Sequence, residues 1–426
     1  MRVLFLHQGF ATRKDAGSGR ANDFARCLVE AGHEVICLAG TFDYLTGEIP
    51  PAYRGKLFVR EHVDGYTVLR TWTYDGYHRS YFHRILSFLS FMVTSLIGGL
   101  RLRDIDVVVP CTPPFFLGVT GYLLGRWHRA PIVYEVRDLW SEVAFQLGIV
   151  RQPLIISLVR RLERFLYTRA ARVVINSPGF TEPLVRSGVE RDKIVLIPNG
   201  IDLEMFRPMP EARHRVRAEL GLQDKFIALY AGSLGLANSL DTVLEAASLL
   251  KEQDDIAFVF VGDGKDRALL TKRAEELELT NVHFLGPQPK QRVPEFLAAA
   301  DVGIATLLDI PLFRTTYPNK VFDYMAAARP TLLAIDGVIR DVIDKSGAGL
   351  FVAPQNPRAL ADGVLALRDD PGEARAMGER ARAYVEQHFD RRAAESQMRD
   401  CITDVVEPVR RPESPAVADL KTSVTS

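Results

Sequence analysis

Residues 315–330, TTYPNKVFDYMAAARP, put a lysine where helix physics disfavours one. Asn319 follows Pro318 and precedes an apolar-periodic run, a pattern that predicts a helix with Asn319 as its N-cap. Lys320 then opens the first turn, at the positive end of the helix dipole, at a cost of about 0.3–1 kcal/mol. A bound anion would offset that cost. The free N–H groups of a helix start, joined by an ammonium, form an anion trap that suits a diphosphate. Asp323 lies one turn on, on the same face, where a carboxylate would accept hydrogen bonds from ribose hydroxyls. A plain Lys320–Asp323 surface pair of small energetic weight is the alternative reading.

Three glycine loops form a second set: DAGSGR, with Gly17 and Gly19; AGSLGLANS, with Ser233; and GDGKD, with Gly262 and Gly264. Each suits close backbone approach to a ligand, and equally an ordinary strand-to-helix turn. None has the GxGxxG spacing of a dinucleotide site. GxxxxGK[ST], HExxH and GxSxG are all absent, which argues against P-loop, metalloprotease and α/β-hydrolase chemistry. Arg137 and Asp138 end the strand candidate YEVRD, either as cleft residues or as a local strand-end pair. Cys27, Cys37, Cys111 and Cys401 form no CxxC pair and read as thiols in a reducing compartment. No metal-ligand spacing is visible, so no metal or other cofactor is expected.

These residues must be positioned by alternating strands and helices. RVLFLHQGF, EVICLAG, YTVLRTWT, DVVVPCT, PIVYEVRD, RVVINS and KIVLIP read as strands, with helical runs at 80–103, 115–129 and 154–170. The scheme restarts near residue 225 with FIALYAGSLG, IAFVFVGDG, VHFLGP, DVGIATL, TLLAID and GLFVAP. This pattern predicts an α/β protein of two doubly wound, Rossmann-like domains facing a ligand cleft. The expected boundaries are 1–197 for the first domain, 198–224 for a linker region and 225–390 for the second domain. A closing helix at 391–406 and a disordered tail at 407–426 complete the chain. The net charge of zero hides an asymmetry: residues 1–200 hold 25 Lys+Arg against 18 Asp+Glu. A basic first half and an acidic second half imply different partners.

PNKVFDYMAAARP, IPNGID, YAGSLG, FVGDG and VHFLG, in this order, resemble the retaining glycosyltransferases of family four, which have the GT-B fold. YEVRDLWSE and TPPFFLGVTGYLL resemble the bacterial surface-polysaccharide branch of that family. The resemblance covers nearly the whole chain except the tail. It implies that the first domain takes the acceptor and the second a nucleotide-diphosphate sugar, expected to be a UDP-sugar. It places Asp323 on the donor ribose and Lys320, with Asn319, near the diphosphate. Ser233 and the backbone around Gly262, Gly264 and Leu285 would line the donor site, with Gly17 and Gly19 across the cleft. Asp138 would lie near the transferred sugar. Thr315 stands where the family often has an acid, and LANSLD where many members have an Arg and a Lys. The implied reaction is retaining, metal-independent hexosyl or N-acetylhexosaminyl transfer onto a lipid-linked acceptor in cell-surface polysaccharide synthesis, with no nucleic acid involved. A UDP-sugar epimerase of the same fold and a non-catalytic sugar-nucleotide-binding protein are the alternatives.

Residues 85–100, ILSFLSFMVTSLIGGL, form an uncharged run flanked by Arg79, Arg84, Arg101 and Arg103. It is short for a membrane span of about 20 residues. It reads as a buried helix or as an interfacial anchor with Phe88 and Phe91 entering the lipid interface. The anchor reading places the protein in the cytoplasm, peripherally attached to the inner face of the cytoplasmic membrane.

Overall fold

The computed structural model describes residues 1–12, 19–43, 46–77, 79–146 and 148–410. The first domain contains β1 (Arg2–Leu6), α1 (Arg20–Glu30), β2 (Glu34–Gly40), β3 (Phe58–Val63), β4 (Tyr66–Thr71) and α2 (Tyr81–Leu100). It continues through β5 (Val107–Pro110), α3 (Leu117–His128), β6 (Val133–Val136), α4 (Trp140–Gln146), α5 (Pro153–Arg169), β7 (Arg172–Ile175), α6 (Thr181–Arg186) and β8 (Ile194–Leu196). The strands lie in the order β3-β4-β2-β1-β5, continued by β6-β7-β8, with single bridges at Val108–Ile132 and Cys111–Glu135 joining the two groups. Pairing is parallel except at β3, which runs antiparallel to β4. Asp64 and Gly65, both at positive φ, close that hairpin. A two-residue turn of this kind matches the twist of its strands.

α7 (Pro210–Leu220) leads into the second domain: β9 (Phe226–Ala231), α8 (Asp241–Leu249), β10 (Ile256–Val261), α9 (Arg267–Glu276), β11 (Val282–Gly286), α10 (Val293–Ala299) and β12 (Val302–Thr306). Then come α11 (Asn319–Ala326), β13 (Thr331–Ala334), α12 (Val338–Ser346), β14 (Gly349–Phe351), α13 (Pro357–Asp369), α14 (Pro371–His388) and α15 (Arg391–Arg410). Its six strands are all parallel, in the order β11-β10-β9-β12-β13-β14. Near-continuous Val/Ile/Leu/Phe strands such as IAFVFV are covered on both faces, as a parallel sheet requires. This is the two-domain GT-B architecture.

The linker region and the closing helix differ from the sequence expectation. Residues 198–224 contain α7, which buries only Ala212, Val216 and Arg217 and so lacks an apolar stripe to announce it. The closing helix runs to Arg410 and packs back on the first domain. Ala394, Met398, Ile402 and Val406 join Val3, Phe5, Phe24 and Leu28 in one core. Residues 411–426 of the expected tail lie outside the described residues.

Candidate functional site

α11 starts at Asn319 with Pro318 as its cap residue, and no side chain caps it. Asn319 is therefore the first helical residue and not the N-cap. Its carboxamide is used elsewhere, since Asn199 Nδ2 donates to Asn319 Oδ1 at 2.7 Å.

Lys320 turns toward the loop after β9. Its Nζ donates to Tyr230 Oη at 2.7 Å and to Asn238 Oδ1 at 2.8 Å, and lies 4.1 Å from the centre of the Tyr230 ring. No carboxylate pairs with it among the described residues, so the surface pair with Asp323 does not form. An ammonium has three donors, and two here are held by neutral oxygens. Burial without a counter-charge lowers its pKa to about 7. Such a cation is stabilised when an anion arrives.

Asp323 takes the other direction. It lines a cavity of about 310 Å³ between the domains, with Lys290, Tyr317 and Arg391 beside it and Gly19, Arg20, Asp23 and Arg137 from the first domain opposite. Burial raises its pKa to about 7, against the pull of Lys290 and Arg391. Asp23 is raised in the same way and lies 3.4 Å from Arg391. The cavity thus holds carboxylates that can accept from hydroxyls and cations that can meet an anion.

The glycine loops of the second domain converge beside Lys320. A Cβ on Gly232 would meet Lys320 Nζ at 3.6 Å. One on Gly262 would stand 1.9 Å from Gly232 O, and one on Gly264 would stand 2.2 Å from Leu234 O. Those two glycines therefore let two βα loops touch along their backbones. Gly262 N donates to Gly286 O, which brings Leu285 to the same strand ends. The carbonyl of Ser233 accepts from Tyr230 Oη at 2.8 Å and from Asn238 Nδ2 at 3.0 Å. Thr315 is not brought to the cavity with Asp323. Its hydroxyl donates to Leu312 O at 2.6 Å and its carbonyl accepts from Ser177 Oγ at 2.6 Å, which fixes it in a joint between the domains. Gly17 lies outside the described residues.

On the first domain, Asp138 lines a smaller cavity of about 170 Å³ with His7, Phe42, Tyr77 and Phe88. Burial raises its pKa, against Arg137. Gly19 and Arg137 border both cavities, so the two adjoin. Arg137 does not pair with Asp138. Its Nη1 lies 2.9 Å from His7 Nε2, its backbone N–H donates to Thr112 Oγ1, and its buried Nε has no partner. Burial, then Arg137, lowers the His7 pKa to about 4, so a neutral imidazole accepts this bond. Arg20 Nε pairs with Glu135 Oε1 at 2.6 Å, both fully enclosed. Burial works against the Glu135 charge, yet Arg20 and Arg137 hold its pKa below the usual carboxylate value.

Sequence reasoning missed Lys290, Arg391 and Asn199 as site residues. Of the two readings of Arg137, cleft residue or local partner of Asp138, the structure shows the first. No group of three or more His, Cys, Asp or Glu side chains able to hold a metal occurs among the described residues.

Comparisons with known proteins agree with this layout. Residues 17–200 match the "Glycosyl transferase 4-like domain" and residues 212–384 match "Glycosyl transferases group 1". Together the matches span well over half of the chain, which belongs to the glycosyltransferases that combine these two domains. It is 24% identical to the putative colanic acid biosynthesis glycosyl transferase WcaI of Escherichia coli strain K12, over 95% of this chain and the whole of that protein. It is 30% identical to the probable glycosyltransferase WbjE of Pseudomonas aeruginosa, over 61% of this chain and 66% of that protein. The crystal structure of Anabaena Alr3699/HepE in complex with UDP-glucose shares the fold, with a TM-score of 0.70 at 17% identity, over 95% of this chain and all of that one.

Proposed function

We propose that the protein is a retaining glycosyltransferase that moves a hexosyl or N-acetylhexosaminyl group from a UDP-sugar to a lipid-linked acceptor in bacterial cell-surface polysaccharide synthesis. The observation that carries this reading is the interdomain cavity, where Asp323 and Lys290 of one domain face Arg20 and Arg137 of the other. WcaI is named for colanic acid biosynthesis and HepE was crystallised with UDP-glucose, which favours a surface polysaccharide and a UDP-linked donor.

In this mechanism Asp323 accepts from the donor ribose. Lys320, with the glycine loops and the α11 N-terminus beside it, stabilises the charge growing on the leaving diphosphate. One such preorganised donor contributes about 10²–10³ in rate. Arg137, which lines the cavity from the opposite domain, adds a second positive charge there. Asp138 and the aromatic wall of the smaller cavity orient the acceptor hydroxyl. The donor phosphate takes the acceptor proton, so the two flanking carboxylates of a glycoside hydrolase are not needed. No metal is required, because cations of the chain supply the charge.

The protein acts in the cytoplasm at the inner membrane face. α2 is long and apolar enough to cross a membrane by length and composition, but one side of it is core. Phe88 and Phe91, which the anchor reading put at the lipid interface and the buried-helix reading in the core, are 1% and 0% exposed and pack inside the domain. The correction follows from helical spacing: Phe88, Phe91 and Ser95 share the inward face, while Val93 and Ile97 face out.

A donor screen tests the reading, measuring release of nucleotide diphosphate with and without acceptor membranes. Acceptor-dependent UDP release with a retained anomeric configuration, read by NMR, is expected. Conversion of the UDP-sugar to its epimer without release would identify the epimerase alternative. Binding without turnover would identify the non-catalytic one.

A further inference from the structure

We propose that the face built by α3 and α5 docks on an anionic phospholipid bilayer, with the arginines of α5 meeting its phosphate headgroups. The proposal deepens the membrane-associated reading above and rests on it for the kind of partner. It moves the contact away from the α2 phenylalanines.

Leu154, Leu158, Arg161 and Phe165 recur at three- and four-residue steps and so share one face of α5. Leu154 is 72% exposed and Leu158 59%, with Ile155 exposed beside them. On α3, Trp127 is 64% exposed and Leu123 lies one turn before it, also exposed. The two helices are neighbours, for the ring of Tyr122 meets that of Phe165 edge-on at 5.0 Å. α2 adjoins α3, since Thr120 Oγ1 donates to Met92 O, and α2 carries exposed Val93 and Ile97. An unpartnered apolar surface of this extent calls for an occupant.

The charge pattern selects that occupant. α2, α3 and α5 carry six arginines (Arg84, Arg126, Arg160, Arg161, Arg164 and Arg169) and one acid, Glu163. Glu163 is buried and accepts from Ser141 Oγ at 2.6 Å, so its carboxylate is turned away from the exposed apolar side chains. Arg169 stacks on Phe165 with its guanidinium 4.7 Å from the ring centre. Between α5 and the second-domain residues Leu312 and Thr315 runs a groove of about 980 Å³, lined by Arg160, Arg161, Arg164 and Arg186 together with Glu142 and Glu163. Arg160 pairs with Glu142, while Arg161, Arg164 and Arg186 have no acidic partner among the described residues. Exposed Leu, Phe and Trp beside unpaired arginines form the pattern that places apolar side chains among acyl chains and cations at the phosphates.

The test is co-sedimentation of the full chain with vesicles of phosphatidylethanolamine and phosphatidylglycerol, against phosphatidylcholine vesicles, at low and high salt. Wild-type protein is expected to prefer the anionic vesicles by about tenfold or more and to detach in salt. Leu154→Ser with Leu158→Ser should lower that affinity by about tenfold or more while the melting curve is kept. Arg161→Ala with Arg164→Ala should weaken anionic binding and flatten its salt dependence. Equal binding to both vesicle types, or α5 variants that bind as the wild type does, would overturn the proposal. So would a dimer, seen by light scattering, that the leucine variant dissolves, since a second copy would then own the face. UDP release from UDP-glucose by the same preparations without vesicles reports separately on the transferase reading. Its absence in the wild type counts against that reading and leaves the vesicle result to stand on its own.

Discussion

The two domains bring opposite kinds of charge to the cleft. The first presents a closed ion pair, Arg20 with Glu135, beside an Arg137 held by a neutral His7. The second presents Lys320 and Asp323, for neither of which an ion pair is seen among the described residues, one with its pKa lowered to about 7 and the other raised to about 7. A buried pair fixes geometry and changes little when a ligand arrives. An unpaired buried charge is costly in the free protein and stabilised by a complementary ligand. The first domain therefore holds the shape of the cleft, and the second responds to the donor.

The sharpest way to break this contrast is Glu135→Ala. It leaves Arg20 buried without its counter-charge and should cost about 3–5 kcal/mol, read by chemical denaturation. A loss below about 1 kcal/mol would show that the pair is not structural. Lys320→Ala should fold normally yet lower turnover about tenfold or more, because a charge-assisted bond contributes roughly 1.5–3 kcal/mol. Wild-type rates in that variant would remove Lys320 from the diphosphate.

The two unpaired groups also predict a narrow pH optimum. Asp323 must be charged, so kcat/KM falls as pH drops below about 7. Lys320 must be protonated, so it falls again as pH rises above about 7. Lys320→Arg should move the alkaline limb upward and leave the acid limb in place. Gly264→Ala drives a Cβ into the Leu234 carbonyl and should cost about 1–3 kcal/mol through the second domain alone. The smallest expected effect is that of EDTA, which should leave activity unchanged; loss restored by Mg²⁺ would contradict the metal-free account.

Much of the fold was legible because its signals are local. Val-, Ile- and Leu-rich strands and their helices mark both sheets, and α2, α3 and α5 lie within a few residues of the runs read from the sequence. β3 escaped because FVREHV is a charged edge strand, although Asp64-Gly65 marks its hairpin. α7 escaped because PEARHRVRAEL buries too little to leave a periodic stripe. The return of α15 to the first domain is a long-range contact that no window of sequence contains. Within the site, Asp323 and Lys320 stood out through their helix. Their divergence did not, because spacing gives a face and not the neighbour that draws a flexible side chain. The partner of Arg137 was hidden for the same reason, since His7 follows the end of β1, 130 residues away.

The claim that the second domain holds the donor through Asp323 is tested most directly by calorimetric titration of UDP near pH 7.5 into the wild type and Asp323→Asn. The account predicts saturable binding to the wild type and an affinity at least about tenfold lower in the variant, since a bond to a charged group contributes roughly 1.5–3 kcal/mol, with an unchanged melting temperature. Equal affinity for UDP in both proteins would contradict it.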